Sequence, residues 1–113
     1  MKNSASKIEQ HAMSLHEGEL AGGSTRVADL KDRKIATVVG TIRSLTLRPS
    51  SVAKSLEAEL EDGTGIVVVV WVGRRSITGV TAGTDIEVRG LMSRDSKGWR
   101  TFNPTYKLLS AHR

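Results

Sequence analysis

From residue 33 onward the chain becomes β-rich, and where its apolar residues show a period it is two, that of a strand and not of a helix. "RKIATVVGTIRSLTLR" (33–48) is long and rich in β-branched residues, and Gly40 at its middle predicts a bend or a close backbone approach. "SLEAELED" (55–62) alternates cleanly, with Leu56, Ala58 and Leu60 on one side and Glu57, Glu59 and Glu61 on the other. The "DGTG" of residues 62–65 is turn chemistry, Asp-Gly being a strong short hairpin signal. A third strand follows at 66–72, then a connector at 73–83 punctuated by Gly79 and Gly83. The fourth strand, 84–92, sets Ile86 and Val88 against Asp85, Glu87 and Arg89. A polar turn at 93–98 leads into "WRTFNPTYKLL" (99–109), where Pro104 should end the ladder or mark an edge. Five short strands with turns between them predict a small β-barrel or sandwich.

Residues 1–25 read differently. Ser6 and Glu9 fit a capping box, and Ile8, Ala12 and Leu15 share one helical face, so a short helix is expected over 7–17. Gly22, Gly23 and Ser24 form a joint to the β-rich part. The domain organisation is therefore an N-terminal helical or flexible extension, 1–25, and a β domain, 26–113.

The run 66–72, "IVVVVWV", breaks the alternation, because it is apolar on both faces. One face fills a core; the other needs cover from the 7–17 helix, from a second subunit, or from bases on a platform that includes Trp71. The last strand poses a related choice. Strict alternation that buries Trp99 exposes Phe102, burying Phe102 buries Arg100, and a bulge near Thr101 would satisfy both aromatics.

A length of 113 residues suits one domain with a single core. There is no cysteine, hence no disulfide framework and no thiolate metal site. Neither a signal-peptide run in 1–20 nor an apolar stretch of roughly 20 residues is present, so a cytoplasmic protein without a membrane partner is expected. The net charge of +5 matters more. Residues 1–25 hold two basic and three acidic groups, leaving 15 of the 17 cations and 9 of the 12 carboxylates in the β-rich body. A basic body without a basic tail points to a polyanion, most often nucleic acid.

Taken together, "VVGTI" (38–42), "LEAELEDGTGIVVVVWVG" (56–73), "GTDIEVRG" (83–90) and "FNPTY" (102–106) resemble an OB-fold nucleic-acid-binding domain. The kind is that of tRNA anticodon-binding domains and the wedge domain of RecG-type helicases, and the resemblance covers about residues 26–109. It implies an all-β fold, a five-stranded Greek-key barrel, whose ligand lies on the outer face of strands two and three between two loops. Those loops map to 47–54, with Arg48 and Lys54, and 93–98, with Arg94 and Lys97. The helix usual between strands three and four is reduced to the 73–83 connector.

The candidate nucleic-acid-binding residues are then Arg43, Arg48, Lys54, Arg74, Arg75, Arg94 and Lys97 for phosphates, with Trp71 or Trp99 as a stacking surface. Trp71 serves equally well as a core residue. The three glutamates at 57, 59 and 61 oppose this reading, since they fall on the face where phosphates would lie, and they suit a protein-binding face instead. Catalysis is not expected: His11, His16 and His112 all lie in the terminal segments, and no phosphate-loop or dinucleotide fingerprint occurs. Neither a metal nor a cofactor is implied. Two readings remain: a non-catalytic module for single-stranded or junction DNA, RNA being admissible, with low sequence specificity; or a protein-interaction or homo-oligomerisation module using the outer face of strands two and three.

Overall fold

The computed structural model describes residues 23–49 and 54–109. The helix expected over 7–17 and all three histidines fall outside them. Among the described residues six strands form: β1 (Lys34–Arg48), β2 (Ser55–Glu61), β3 (Ile66–Val72), β4 (Asp85–Asp95), β5 (Gly98–Phe102) and β6 (Thr105–Leu108). A single 3-10 turn at Val27–Asp29 precedes them, and no helix of seven residues or more occurs among the described residues.

β1 is long enough to serve two neighbours. Its first half pairs antiparallel with β4, from Lys34 opposite Met92 to Thr41 opposite Asp85. Its second half pairs with β2, from Thr41 opposite Glu61 to Arg48 opposite Ser55. The change of partner falls at Gly40, where an added Cβ would lie 2.5 Å from the carbonyl oxygen of Glu61. The bend read from the sequence is thus a close approach of two backbones that only glycine admits. The register also slips between Ile42 and Ser44, which leaves Arg43 as a bulge.

β2 pairs antiparallel with β3, and β3 pairs parallel with β5. β5 turns back on β4, and β4 returns to β1, so the hydrogen bonding runs round in a ring. The predicted last strand is divided. Asn103 takes a positive φ of 49° and Pro104 supplies no N–H, so pairing moves from β3 to β4 at that point. Gly90 makes room for the crossing, since a Cβ there would stand 2.7 Å from Thr101 Oγ1 and 3.0 Å from Pro104. β4 runs three residues beyond the expected 84–92, which shortens the turn to Ser96 and Lys97.

Inside the ring, alternate residues meet: Val38 and Ile42 from β1, Leu56, Ala58 and Leu60 from β2, Val67, Val69 and Trp71 from β3, and Ile86, Val88 and Met92 from β4. Ile77 and Val80 of the 73–83 connector join the same core, so that segment acts as a plug without being a helix. Asp62 ties the "DGTG" turn to the start of the domain. Fully buried, it accepts from Val27 N at 2.9 Å, Thr64 N at 2.8 Å, Thr64 Oγ1 at 2.7 Å and Gly65 N at 3.2 Å. A buried carboxylate with four donors is held rather than stranded.

Candidate nucleic-acid interface

The outer face of β2, β3 and β5 follows from alternation. Glu57, Glu59 and Glu61 stand opposite Val70, Val68 and Ile66. On the other side of β3, Val68 stands opposite Arg100 and Val70 opposite Phe102. The apolar outer row of β3 is therefore flanked by charged and aromatic side chains of this chain's own β2 and β5. Val70 is buried, Val68 half-buried, and Val72 exposed only where the flanking ends. Arg100 and Glu57 meet across this row at 3.9 Å, so flanking strands of the same chain supply part of the cover that the sequence assigns to a helix, a subunit or bases.

The glutamate row is neutralised within the face. Arg43 lies 3.5 Å from Glu59 and 3.8 Å from Glu61. Arg48 reaches Glu57 at 3.3 Å, and Arg100 reaches Glu57 at 3.9 Å and Asp95 at 3.6 Å. The bulge at Arg43 is what lets one guanidinium reach two glutamates of the neighbouring strand. The repulsion expected from three adjacent carboxylates is thereby largely cancelled.

Of the cations named from the sequence, Arg43 and Arg48 belong to this paired set. A second group gathers at one end of β3. Arg48, Ser55 and Val72 are neighbours across three strands, and Gly73 N donates to the Lys54 carbonyl at 2.6 Å. That bond draws half-buried Lys54 beside exposed Arg74 and Arg75. The third group sits at the opposite end of β3, where the β4–β5 hairpin carries exposed Arg94 and Lys97 beyond the Val67–Trp99 pair. A strand of seven residues separates the two ends by about 20 Å. Among the described residues, Lys54, Arg74, Arg75, Arg94 and Lys97 carry no salt bridge. Arg26 does not join them: its hydrogen bond to Asp29 at 2.9 Å commits it locally and raises its pKa further.

The aromatic assignments change. Trp71 is not on the face but in the core, 4% exposed, with Tyr106 edge-on at 5.8 Å. The reason is register, since Leu56 opposite Trp71 also points inward. Its Nε1 has no hydrogen-bond partner among the described residues. Trp99 is half-buried against the core and covered by Arg94, whose guanidinium carbon lies 5.6 Å from the ring centroid. Neither tryptophan offers an open ring on this face. The aromatic that does is Phe102, 56% exposed beside Arg100. Strict alternation from Trp99 to Phe102 suffices, and no bulge forms at Thr101, which points inward and is buried. Arg100 and Phe102 face outward together on β5, and neither stands in the candidate set drawn from the sequence. The signal for them is the alternation itself, once Trp99 is taken as the inward residue.

No protein-family profile matches the chain, and no curated protein matches it in sequence. Among solved structures, RecG bound to a three-way DNA junction is similar in fold, with a TM-score of 0.58 and 17% identity. The match covers 97% of this chain and 19% of the RecG chain, so the likeness is to a small part of a much longer protein. At that identity, what is shared is the fold: a nearly all-β chain whose sheet bonds in a ring.

Proposed function

We propose that this chain is a non-catalytic OB-fold module, its ring a Greek-key barrel, that binds single-stranded or junction DNA with low sequence specificity. The observation that carries the reading is the division of its cations. Those on the β2–β3–β5 face are paired off, whereas among the described residues Lys54, Arg74 and Arg75 at one end and Arg94 and Lys97 at the other carry no salt bridge. Between the two ends lies an electrically quiet surface with one open aromatic, Phe102. A flexible polyanion laid across it meets phosphate-binding charge at both rims and a stacking ring between them. RNA presents the same phosphates and bases and is the second polynucleotide these contacts admit.

Low specificity follows from the side chains present. Asn103 is the only carboxamide among the described residues, and its Oδ1 already accepts from Val72 N at 2.9 Å. Among the described residues no free carboxamide is therefore left for bidentate reading of an adenine edge. The RecG likeness adds that a similar fold occurs in a protein solved on a DNA junction.

Charge reversal at Arg94 and Lys97 is the direct test. Binding of a labelled single-stranded oligonucleotide should fall by well over tenfold with the thermal midpoint unchanged. Unchanged binding by a folded double variant would contradict the reading.

A second reading, a protein-interaction or homo-oligomerisation module, is favoured by a different observation. Ile35 and Leu91 stand opposite each other across β1 and β4, 64% and 55% exposed. Paired apolar residues so open on a small domain suit a protein contact. Light scattering over a range of concentrations distinguishes this reading by the appearance of a dimer.

A further inference from the structure

Three glutamates at successive outward positions of one strand need a reason on a surface proposed to meet phosphates. We propose that Glu57, Glu59 and Glu61 act as a built-in competitor for phosphate. They hold Arg43, Arg48 and Arg100 so that the face accepts unpaired bases and turns away duplex. The inference rests on the nucleic-acid reading above and deepens it by naming the form of polynucleotide selected.

The geometry is that of a ladder. Arginines from two strands on either side, β1 and β5, converge on the one strand that carries the glutamates. Glu57 is held from both sides, by Arg48 at 3.3 Å and Arg100 at 3.9 Å, and Arg43 spans Glu59 and Glu61. The central pair is the most enclosed, with side-chain exposures of 18% for Glu57 and 22% for Arg100. A phosphate seeking Arg100 must displace both Glu57 and Asp95 and leave Glu57 with Arg48 alone, so the exchange gains little. The rim cations impose no such exchange.

The consequence is steric as well as electrostatic. A duplex keeps its base faces stacked inside and cannot lay them on Phe102, so its hold on this face depends on phosphate contacts from those arginines. A single strand can place phosphates at the rims and turn bases inward onto Phe102, Val68 and Val72, which need no charge. Pairs that served only to hold the strands together would behave otherwise. Exposed ion pairs contribute little to folding, and removing them would alter stability slightly and binding not at all.

The test uses the full chain and two variants, Glu57→Gln/Glu59→Gln/Glu61→Gln and Glu59→Gln alone. Glu59 is 45% exposed in its side chain, so the single variant should fold normally even if the triple does not, and a thermal melt checks both. Fluorescence anisotropy with a single strand and a duplex of equal length, at several salt concentrations, is the readout. The triple variant should bind the single strand about tenfold tighter, because three charges that repel phosphate are removed. Its gain on duplex should be larger, with a salt slope steeper by about 0.9 for each arginine released, against about 0.7 on the single strand. Glu59→Gln should shift in the same direction by less. If the wild-type chain binds and the folded variants bind no tighter, the competitor role is overturned while the nucleic-acid reading stands. If neither the wild type nor any variant binds at low salt, the reading itself falls and takes the inference with it.

Discussion

Phe102 stands opposite Val70 across the parallel pair of β3 and β5; the phenylalanine is 56% exposed and the valine 3%. One residue is part of the packed surface, and the other is its open top. That division places the stacking contact on a side chain whose removal leaves the core intact. Phe102→Ala should weaken single-strand binding by about 1–3 kcal/mol, the range for loss of one base–aromatic stack. The thermal midpoint should move little. Paired titration and melting curves check both, and a large loss of stability with unchanged affinity would make Phe102 a structural residue.

Arg74 and Arg75 leave β3 beside Lys54 and carry no salt bridge among the described residues. Replacing both with alanine should weaken binding to all sequences alike. The slope of log affinity against log salt should fall by about 0.7 for each phosphate that the variant no longer neutralises. A weakening confined to particular base sequences would show that the pair reads bases instead.

At Gly40 the neighbouring strand comes too close for a side chain, with Glu61 O 2.5 Å from where a Cβ would stand. Gly40→Ala should destabilise the fold by about 1–3 kcal/mol, since backbone cannot yield as a flexible side chain can. Urea unfolding measures this directly, and an unchanged midpoint would mean that β1 does not change partners there.

Asp62 is a structural carboxylate although it lies in the most conspicuous motif of the chain. Asp62→Ala strands the donors of Val27, Thr64 and Gly65, and should cost about 2–3 kcal/mol in stability. Once the variant is folded, its oligonucleotide affinity should match the wild type. Amide hydrogen exchange at Val27 should rise first, because the tie between the 3-10 turn and the β2–β3 hairpin is what the substitution removes.

The strands are legible in the sequence because period-two patterning survives nearly everywhere, and Gly40 and "DGTG" announce their backbone roles. What is not legible has a common cause. In 66–72 every residue is apolar, so nothing in the pattern says which set faces inward. The register with Leu56, Ala58 and Leu60 decides it, and that register puts Trp71 in the core. The glutamate row reads as repulsive because its partners are distant in sequence: Arg43 and Arg48 precede it across a connection, and Arg100 arrives from the far strand. Pairing of that kind is a property of the closed ring and is invisible to local pattern. Phe102 is within reach, since one of the two alternation choices exposes it, but choosing needs the orientation of Trp99.

On the proposed function, Lys54, Arg74, Arg75, Arg94 and Lys97, which carry no salt bridge among the described residues, engage the phosphates of a single strand. The most direct measurement is the affinity of the full chain for a labelled single-stranded oligonucleotide as a function of salt. Binding is expected at low salt, with a linear fall of log affinity against log salt whose slope is about −3.5 for five phosphate contacts. Absence of binding at low salt, together with a concentration-dependent dimer in light scattering, would contradict it and transfer the function to protein contact.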